Sequence, residues 1–294
     1  MHGSCPFFGG RSTFWSAWCP RPSADLMRGF PKSMLDTASK EEFWKDASEL
    51  LHVTATDKLD DPIFAGLQDQ IDKRLIAGVK RIAGADFAES ARLAVGMTTS
   101  LSKTAFNKFS TPGPLLKIYE RQRHLADQKK GNPLMIATDV VVERFEVDPE
   151  SANLNANILH TSRGALCFPR SKTNIILAMG AIPPTTLLMN SIGDAQKDRA
   201  GTRLSGHFLT HVAARFPIIG DTTQYKDHLE IGASYVAGRD SKTGHQYHIQ
   251  VTAIHSPHPE TDAEDAGRLC PDYAAAATEA QLANSQGYIV LGVS

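Results

Sequence analysis

The sequence predicts an α/β chain of the α+β kind, on three observations. Apolar residues recur at helical spacing between residues 39 and 82. From Leu134 the pattern changes to short strand-like runs separated by turn residues. One run, residues 174–179 (NIILAM), is continuously apolar and ends at Gly180, just before Pro183-Pro184. That order suggests a strand buried on both faces, a turn and a helix start.

Each element has its own signal. Residues 1–22 are rich in Gly, Pro and aromatics and lack a helical period. They are expected to form an ordered loop, because Phe7, Phe8, Phe14, Trp15 and Trp18 gain from burial. Ser39 and Glu42 form S-x-x-E, the capping-box pattern of a helix start. Phe43, Trp44, Ala47, Leu50 and Leu51 then fall on one helical face. Asp61-Pro62 opens a second helix with Ile63, Leu67, Ile71, Leu75, Val79 and Ile82 as its apolar face. Residues 84–131 are less regular, with Pro112-Gly113-Pro114 as a breaker before a polar helix at 115–130.

Strands are expected at 136–142, 143–147, 156–161 and 165–168, the last two joined by Ser162-Arg163-Gly164. Pro183-Pro184 opens a short helix through Leu187, Leu188 and Met189. Further strands are expected at 208–216, 228–237, 246–255 and 288–291. The last, Tyr288-Ile289-Val290-Leu291, is expected to leave an unfinished sheet edge, which would be an aggregation hazard.

Composition excludes several classes of function. The net charge is -1, with 41% hydrophobic and 21% charged residues, the balance of a folded domain without the basic face that nucleic acid needs. No apolar stretch is long enough to cross a bilayer as a helix. The segment up to Pro22 has no apolar core of a secretory leader, so a cytoplasmic location is expected if the chain is complete. Cys5, Cys19, Cys167 and Cys270 form no C-x-x-C pair, and Cys167 is expected to be a small core residue. His245 and His248, like His255 and His258, are an odd number of residues apart and so point to opposite faces of a strand. No metal site is expected from them. G-x-S-x-G, the serine-hydrolase elbow, is absent.

Two segments carry chemistry. The first is Phe8-Gly9-Gly10-Arg11-Ser12-Thr13-Phe14-Trp15-Ser16-Ala17-Trp18. Its adjacent glycines let backbone approach a flat ring or a phosphate, its hydroxyls suit polar ring edges, and its aromatics exclude water. The second is residues 175–191, an apolar run ending at Gly180 and followed by a helix start. That is where an α/β sheet holds ligands and where free helix N–H groups favour anions.

In this order the two segments resemble the glucose–methanol–choline family of flavin-dependent oxidoreductases, within it the pyranose-oxidase-like branch. Gly9-Gly10-Arg11-Ser12-Thr13-Phe14-Trp15 matches its G-G-x-S-T-x-W loop. Ala178-Met179-Gly180-Ala181, with Leu187-Leu188-Met189-Asn190-Ser191, matches its later strand and helix. Ala137-Thr138-Asp139-Val140-Val141 stands where the adenine-contacting strand would be. Less specifically, residues 203–211, ending in His211, resemble a later family segment.

The resemblance implies FAD as cofactor, against Gly9, Gly10, Ser12, Thr13, Trp15, Ser16, Val140, Ala178, Gly180 and Ala181. It implies oxidation of an alcohol or sugar CH–OH by hydride transfer to flavin N5, with Ser16 a hydrogen-bond partner for N5. The branch carries a flavin-linking His where this chain has Phe14, so non-covalent FAD is expected. The family's G-x-G-x-x-G diphosphate cradle and its catalytic base have no counterpart here. The chain is therefore expected to be incomplete, and no catalytic residue is assigned.

The implied architecture is a partial FAD-binding domain (1–22 and 132–206) with a partial substrate domain. The latter comprises an inserted helical segment (23–131) and a truncated antiparallel sheet (207–294). The expected partner is a small-molecule alcohol or sugar, with no nucleic acid and no membrane, and a homo-oligomer stays open. The alternative is a non-catalytic remnant, or a piece that works only with a partner chain.

Overall fold

A computed structural model describes residues 5–97, 106–147, 156–169, 173–192, 200–204, 210, 212–218, 228–262 and 288–293. The fold is mixed α/β, and every paired strand in it is antiparallel. The helices are α1 (Lys32–Ala38), α2 (Glu41–Leu51), α3 (Gly66–Gly78), α4 (Pro112–Asp127) and α5 (Ile182–Ser191). The strands are β1 (Val53–Ala55), β2 (Ala85–Ser90), β3 (Arg92–Met97), β4 (Phe106–Lys108), β5 (Val142–Val147) and β6 (Ala156–Thr161). They continue with β7 (Gly164–Cys167), β8 (Val212–Pro217), β9 (Glu230–Arg239), β10 (Gln246–His255) and β11 (Tyr288–Val293). Among the described residues, no helix is long and apolar enough to cross a membrane.

The chain forms two compact units. The first takes residues 1–10 and 111–208, the second 11–110 and 209–294. In the first, β5, β6 and β7 make a three-stranded sheet in that order. The β6–β7 hairpin turns at Ser162-Arg163, as its turn residues predict, and Thr161 Oγ1 closes it by donating to Gly164 O at 2.7 Å. Helix α5 packs on β5: Phe145 N donates to Ser191 Oγ at 2.9 Å, and both Phe145 and Leu187 are buried.

The second unit holds a five-stranded sheet of order β2-β9-β10-β11-β8 and a smaller β1-β3-β4 sheet. Strand β9 is its spine, buried along nearly its whole length. One side packs Leu59, Phe64, Leu93, Val95, Ile231, Tyr235 and Ile254 together. On the other, Leu67 and Ile71 of α3 meet Val236, Val251 and Ala253.

A buried polar network fastens α3 to this sheet. Asp72 accepts from Ser90 Oγ at 2.7 Å, Ser234 Oγ at 2.7 Å and Gln68 Nε2 at 2.8 Å. Gln68 also bonds the backbone of Ala233 in both directions, at 2.8 and 3.0 Å. Every member gains a partner that its burial requires.

Several expectations need correction. Residues 174–179 form no strand; Ile176 is 84% exposed, and the segment gains no ladder partner. Ser39 does not cap α2. It ends α1, donating its hydroxyl to Asp36 O at 2.8 Å, and α2 starts after Lys40. The helix expected from Asp61 breaks at Ala65 into a 3-10 turn and α3, because Ala65 leaves the helical region at φ -111°, ψ -111°. The strand expected at 136–142 does not form; Asp139 turns left-handed at φ 54° within it, and β5, expected at 143–147, starts at Val142. The segment 23–131 contains β1 to β4 as well as helices. Strand β11 is no open edge, since β10 pairs it on one side and β8 on the other. Cys167 is exposed rather than a core residue. Residues 205–209 and 211, with His207 and His211, and Cys270 lie outside the described residues.

Candidate functional site

The Gly-Gly loop is locally well determined. Gly9 and Gly10 take φ 93° and 53°, a region that a side chain disfavours. Gly9 O accepts from Thr111 Oγ1 at 3.2 Å, and Gly10 N donates to Phe7 O at 3.0 Å. The next residues form a 3-10 turn, Gly10–Thr13, and Trp15 N closes back on Arg11 O at 3.1 Å.

Beyond the turn the chain is pinned to the core of the second unit. Trp15 Nε1 donates to Phe109 O at 2.8 Å. Ala17, wholly buried and left-handed at φ 64°, accepts from Ala94 N at 2.8 Å. Cys19 N donates to Arg92 O at 2.8 Å, and the Trp18 ring lies 5.1 Å from that of Tyr235. Burial pushes the Cys19 thiol up to about 11, so it is protonated at neutral pH and a poor nucleophile.

The aromatics divide. Phe7, Phe8 and Phe14 are exposed, against the expectation of burial, whereas Trp15 and Trp18 are half-buried. Thr13 is exposed, Ser12 half-buried and Ser16 buried. Of the expected flavin contacts, Gly9 and Gly10 belong to the first unit and Ser12, Thr13, Trp15 and Ser16 to the second.

Val140, Ala178, Gly180 and Ala181 also lie in the first unit. Gly180 is left-handed at φ 87°, with open space where a Cβ would stand. Ala178, Gly180 and Ala181 are exposed and Val140 is half-buried. Among the described residues no hydrogen bond joins Val140 to the other three. Pro183-Pro184 occupies the start of α5, where a missing N–H costs nothing.

The second unit also contains a cavity of about 490 Å³ that sequence reasoning missed. Leu59, Asp60, Asp61, Pro62, Phe64, Ala65 and Gly66 line one side and His228 and Glu230 the other. Asp61 Oδ1 accepts from Ile63 N at 3.0 Å, starting the 3-10 turn. Glu230, only 1% exposed, caps α3 through Leu67 N, 2.7 Å from its Oε2. Its other oxygen lies 3.6 Å from His228 Nε2. Burial raises the Glu230 carboxyl above its ordinary range, with the Leu67 amide and His228 acting the other way. The available signal was His228-x-Glu230 at the entry to a strand, together with the helix-start pattern Asp61-Pro62.

No protein-family model matches this chain, and neither does any curated protein or solved structure.

Proposed function

We propose that the chain is an FAD-dependent oxidoreductase acting on a CH–OH group of an alcohol or sugar, with the flavin held non-covalently. The carrying observation is the G-G-R-S-T-F-W loop at 9–15, followed in order by Ala178-Met179-Gly180-Ala181 and Leu187-Leu188-Met189-Asn190-Ser191. The loop geometry supports the reading. The left-handed Gly9 and Gly10 expose backbone without a Cβ, and the anchored Trp15 indole holds the next turn in place. Gly180 offers the same bare backbone with open space beside it. The residues therefore fit an isoalloxazine edge or a phosphate at the loop and at the start of α5.

A bound flavin would supply the hydride acceptor. In this reading Gly9, Gly10 and Gly180, all of the first unit, give backbone approach. Phe14, with no nucleophilic atom, leaves the flavin unlinked. Ser16, the expected partner for N5, is 9% exposed, which makes it the weakest member of the set.

A second reading, a flavin-binding or remnant piece without activity of its own, is favoured by residues 173–180. They join no ladder, and Ile176 is 84% exposed. FAD titration of the purified chain, followed by flavin fluorescence, separates the cases. Saturable quenching, and bleaching of the bound flavin by an alcohol or sugar under anaerobic conditions, is the expected result. Binding without bleaching favours the second reading, and no binding at saturating FAD removes the first.

A further inference from the structure

We propose that the open face of α2 docks a basic amphipathic helix of another protein. Residues 18–55 run through α1, α2 and β1 without one buried residue. Yet α2 is strongly amphipathic, with Phe43, Trp44, Ala47, Leu50 and Leu51 on one side. Its own chain uses only part of that side. Trp44, Ala47 and Leu51 are half-buried. Trp44 is held by Nε1 donating to Ala38 O at 2.7 Å and by the Arg21 guanidinium, 5.1 Å from its ring.

Phe43 and Leu50 are left out of this packing, at 41% and 68% exposed. They stand one above the other, with Ala47 between them, as a row open to solvent. Phe43, Ala47 and Leu50 have the i, i+4, i+7 spacing of the anchors by which one helix recognises another.

Charge decides the partner. Glu42, Asp46 and Glu49 repeat the same spacing and form an acidic row beside Phe43 and Leu50. Like charges at these spacings repel along a helix. Among the described residues, Glu42 and Asp46 enter no hydrogen bond or ion pair, and Arg21 is taken by Glu41 at 2.8 Å. Glu49 pairs only with Lys45, at 3.9 Å, and both are exposed. Basic side chains of a partner would relieve this repulsion while its apolar side covers Phe43 and Leu50. A second copy meeting through the same face would set acidic row against acidic row. An anionic lipid surface would be repelled in the same way.

The test uses the full chain without flavin, so its outcome is independent of the FAD reading. A fluorescein-labelled peptide of repeated Leu-Lys-Lys-Leu-Leu-Lys-Lys is titrated with the chain and followed by anisotropy. It is expected to saturate one site. The same peptide with Glu for every Lys, or Gln for every Leu, is expected to bind at least about tenfold more weakly. Leu50→Ser and Phe43→Ser, both exposed changes, are each expected to weaken binding about tenfold with the urea midpoint unchanged. Asp46→Asn is expected to weaken it and to lessen its salt dependence. Ile76→Ser, on the 53% exposed Ile76 of α3, is expected to change nothing.

No saturable binding, equal binding of the Glu peptide, or a Leu50→Ser variant that binds like the parent would each overturn the proposal. So would self-association of the chain in sedimentation, or binding to phosphatidylglycerol vesicles, that Leu50→Ser abolishes. Those results would give the face to a second copy or to lipid.

Discussion

Gly232→Ala tests how closely α3 is held to the second unit's sheet, and hence the geometry that builds the cavity. A Cβ at Gly232 would stand 2.7 Å from Ile71 Cδ1, 3.3 Å from Gln68 Cα and 3.4 Å from Gln68 N. The Ile71 methyl can turn aside, but the Gln68 backbone has little room to move. Leu67 N is fixed to Glu230 at 2.7 Å and the Gln68 side chain to Ala233 at 2.8 and 3.0 Å. Overpacking of a filled interior costs about 1–3 kcal/mol. Removing a glycine from the unfolded chain returns about 0.4–1 kcal/mol. The expected net loss is therefore about 1–2 kcal/mol.

Urea unfolding followed by tryptophan fluorescence reads this directly, because Trp15, Trp18 and Trp44 all belong to the second unit. The midpoint should fall with the slope unchanged. Ile71→Val removes the clashing methyl at a cost of about 0.5–1.5 kcal/mol by itself. In the double variant the two losses should sum to less than their separate values by more than about 0.5 kcal/mol. Gly29→Ala, with nothing within 4 Å of its Cβ, is the reference. A Gly232→Ala midpoint equal to that of Gly29→Ala, or strict additivity with Ile71→Val, would refute the packing argument.

Asp72→Ala should destabilise the second unit by about 3 kcal/mol or more, since it removes the shared acceptor of Ser90, Ser234 and Gln68, and bonds to a charged group are worth roughly 1.5–3 kcal/mol each. Asp69→Ala, which loses only an exposed pair with Lys73, should stay within about 0.5 kcal/mol of the parent in the same melt. For pH, the folded-state Glu230 carboxyl is raised by burial, so its contribution is fully present below 4.5 and is lost as pH rises through the folded value. Glu230→Gln should flatten that part of the stability profile; an unchanged slope above 4.5 would count against a strained carboxyl. His255 is shifted the other way: burial lowers it, the His228 charge adds to this, and Asp262 opposes it. Its contribution is complete above 6.5 and is lost as pH falls through the folded value, so His255→Gln should reduce the acid-side loss measured by chemical denaturation.

The elements that rest on local pattern were legible in the sequence. Residues 246–255 form β10 as read, and 156–161 form β6 with the turn at Ser162-Arg163. Pro183-Pro184 opens α5, and the helix expected at 115–130 is α4, Pro112–Asp127, although Pro112-Gly113-Pro114 forms its first turn rather than a breaker before it, because proline is tolerated there. Period, turn residues and proline act within a few positions, so they can be read without knowing the neighbours. The Gly-Gly loop was legible for the same reason: left-handed backbone at Gly9 and Gly10 is a local demand.

What depended on distant partners was not legible. Residues 174–179 have the composition of a buried strand, but a strand needs a ladder, and none forms there. Tyr288-Ile289-Val290-Leu291 was expected on an open edge, yet β8 and β10 enclose β11, a choice made by pairing across the chain. Ser39 serves the helix before it rather than the one after, because α1 ends where the cap was available. The cavity shows the division most clearly. Asp61-Pro62 and His228-x-Glu230 are each readable as local signals, but Glu230 and Leu67 stand 163 positions apart. Sequence alone determined which residues favour burial, turning or capping; tertiary structure decided which of them meet, because burial and hydrogen bonding are satisfied by partners that the local pattern does not specify.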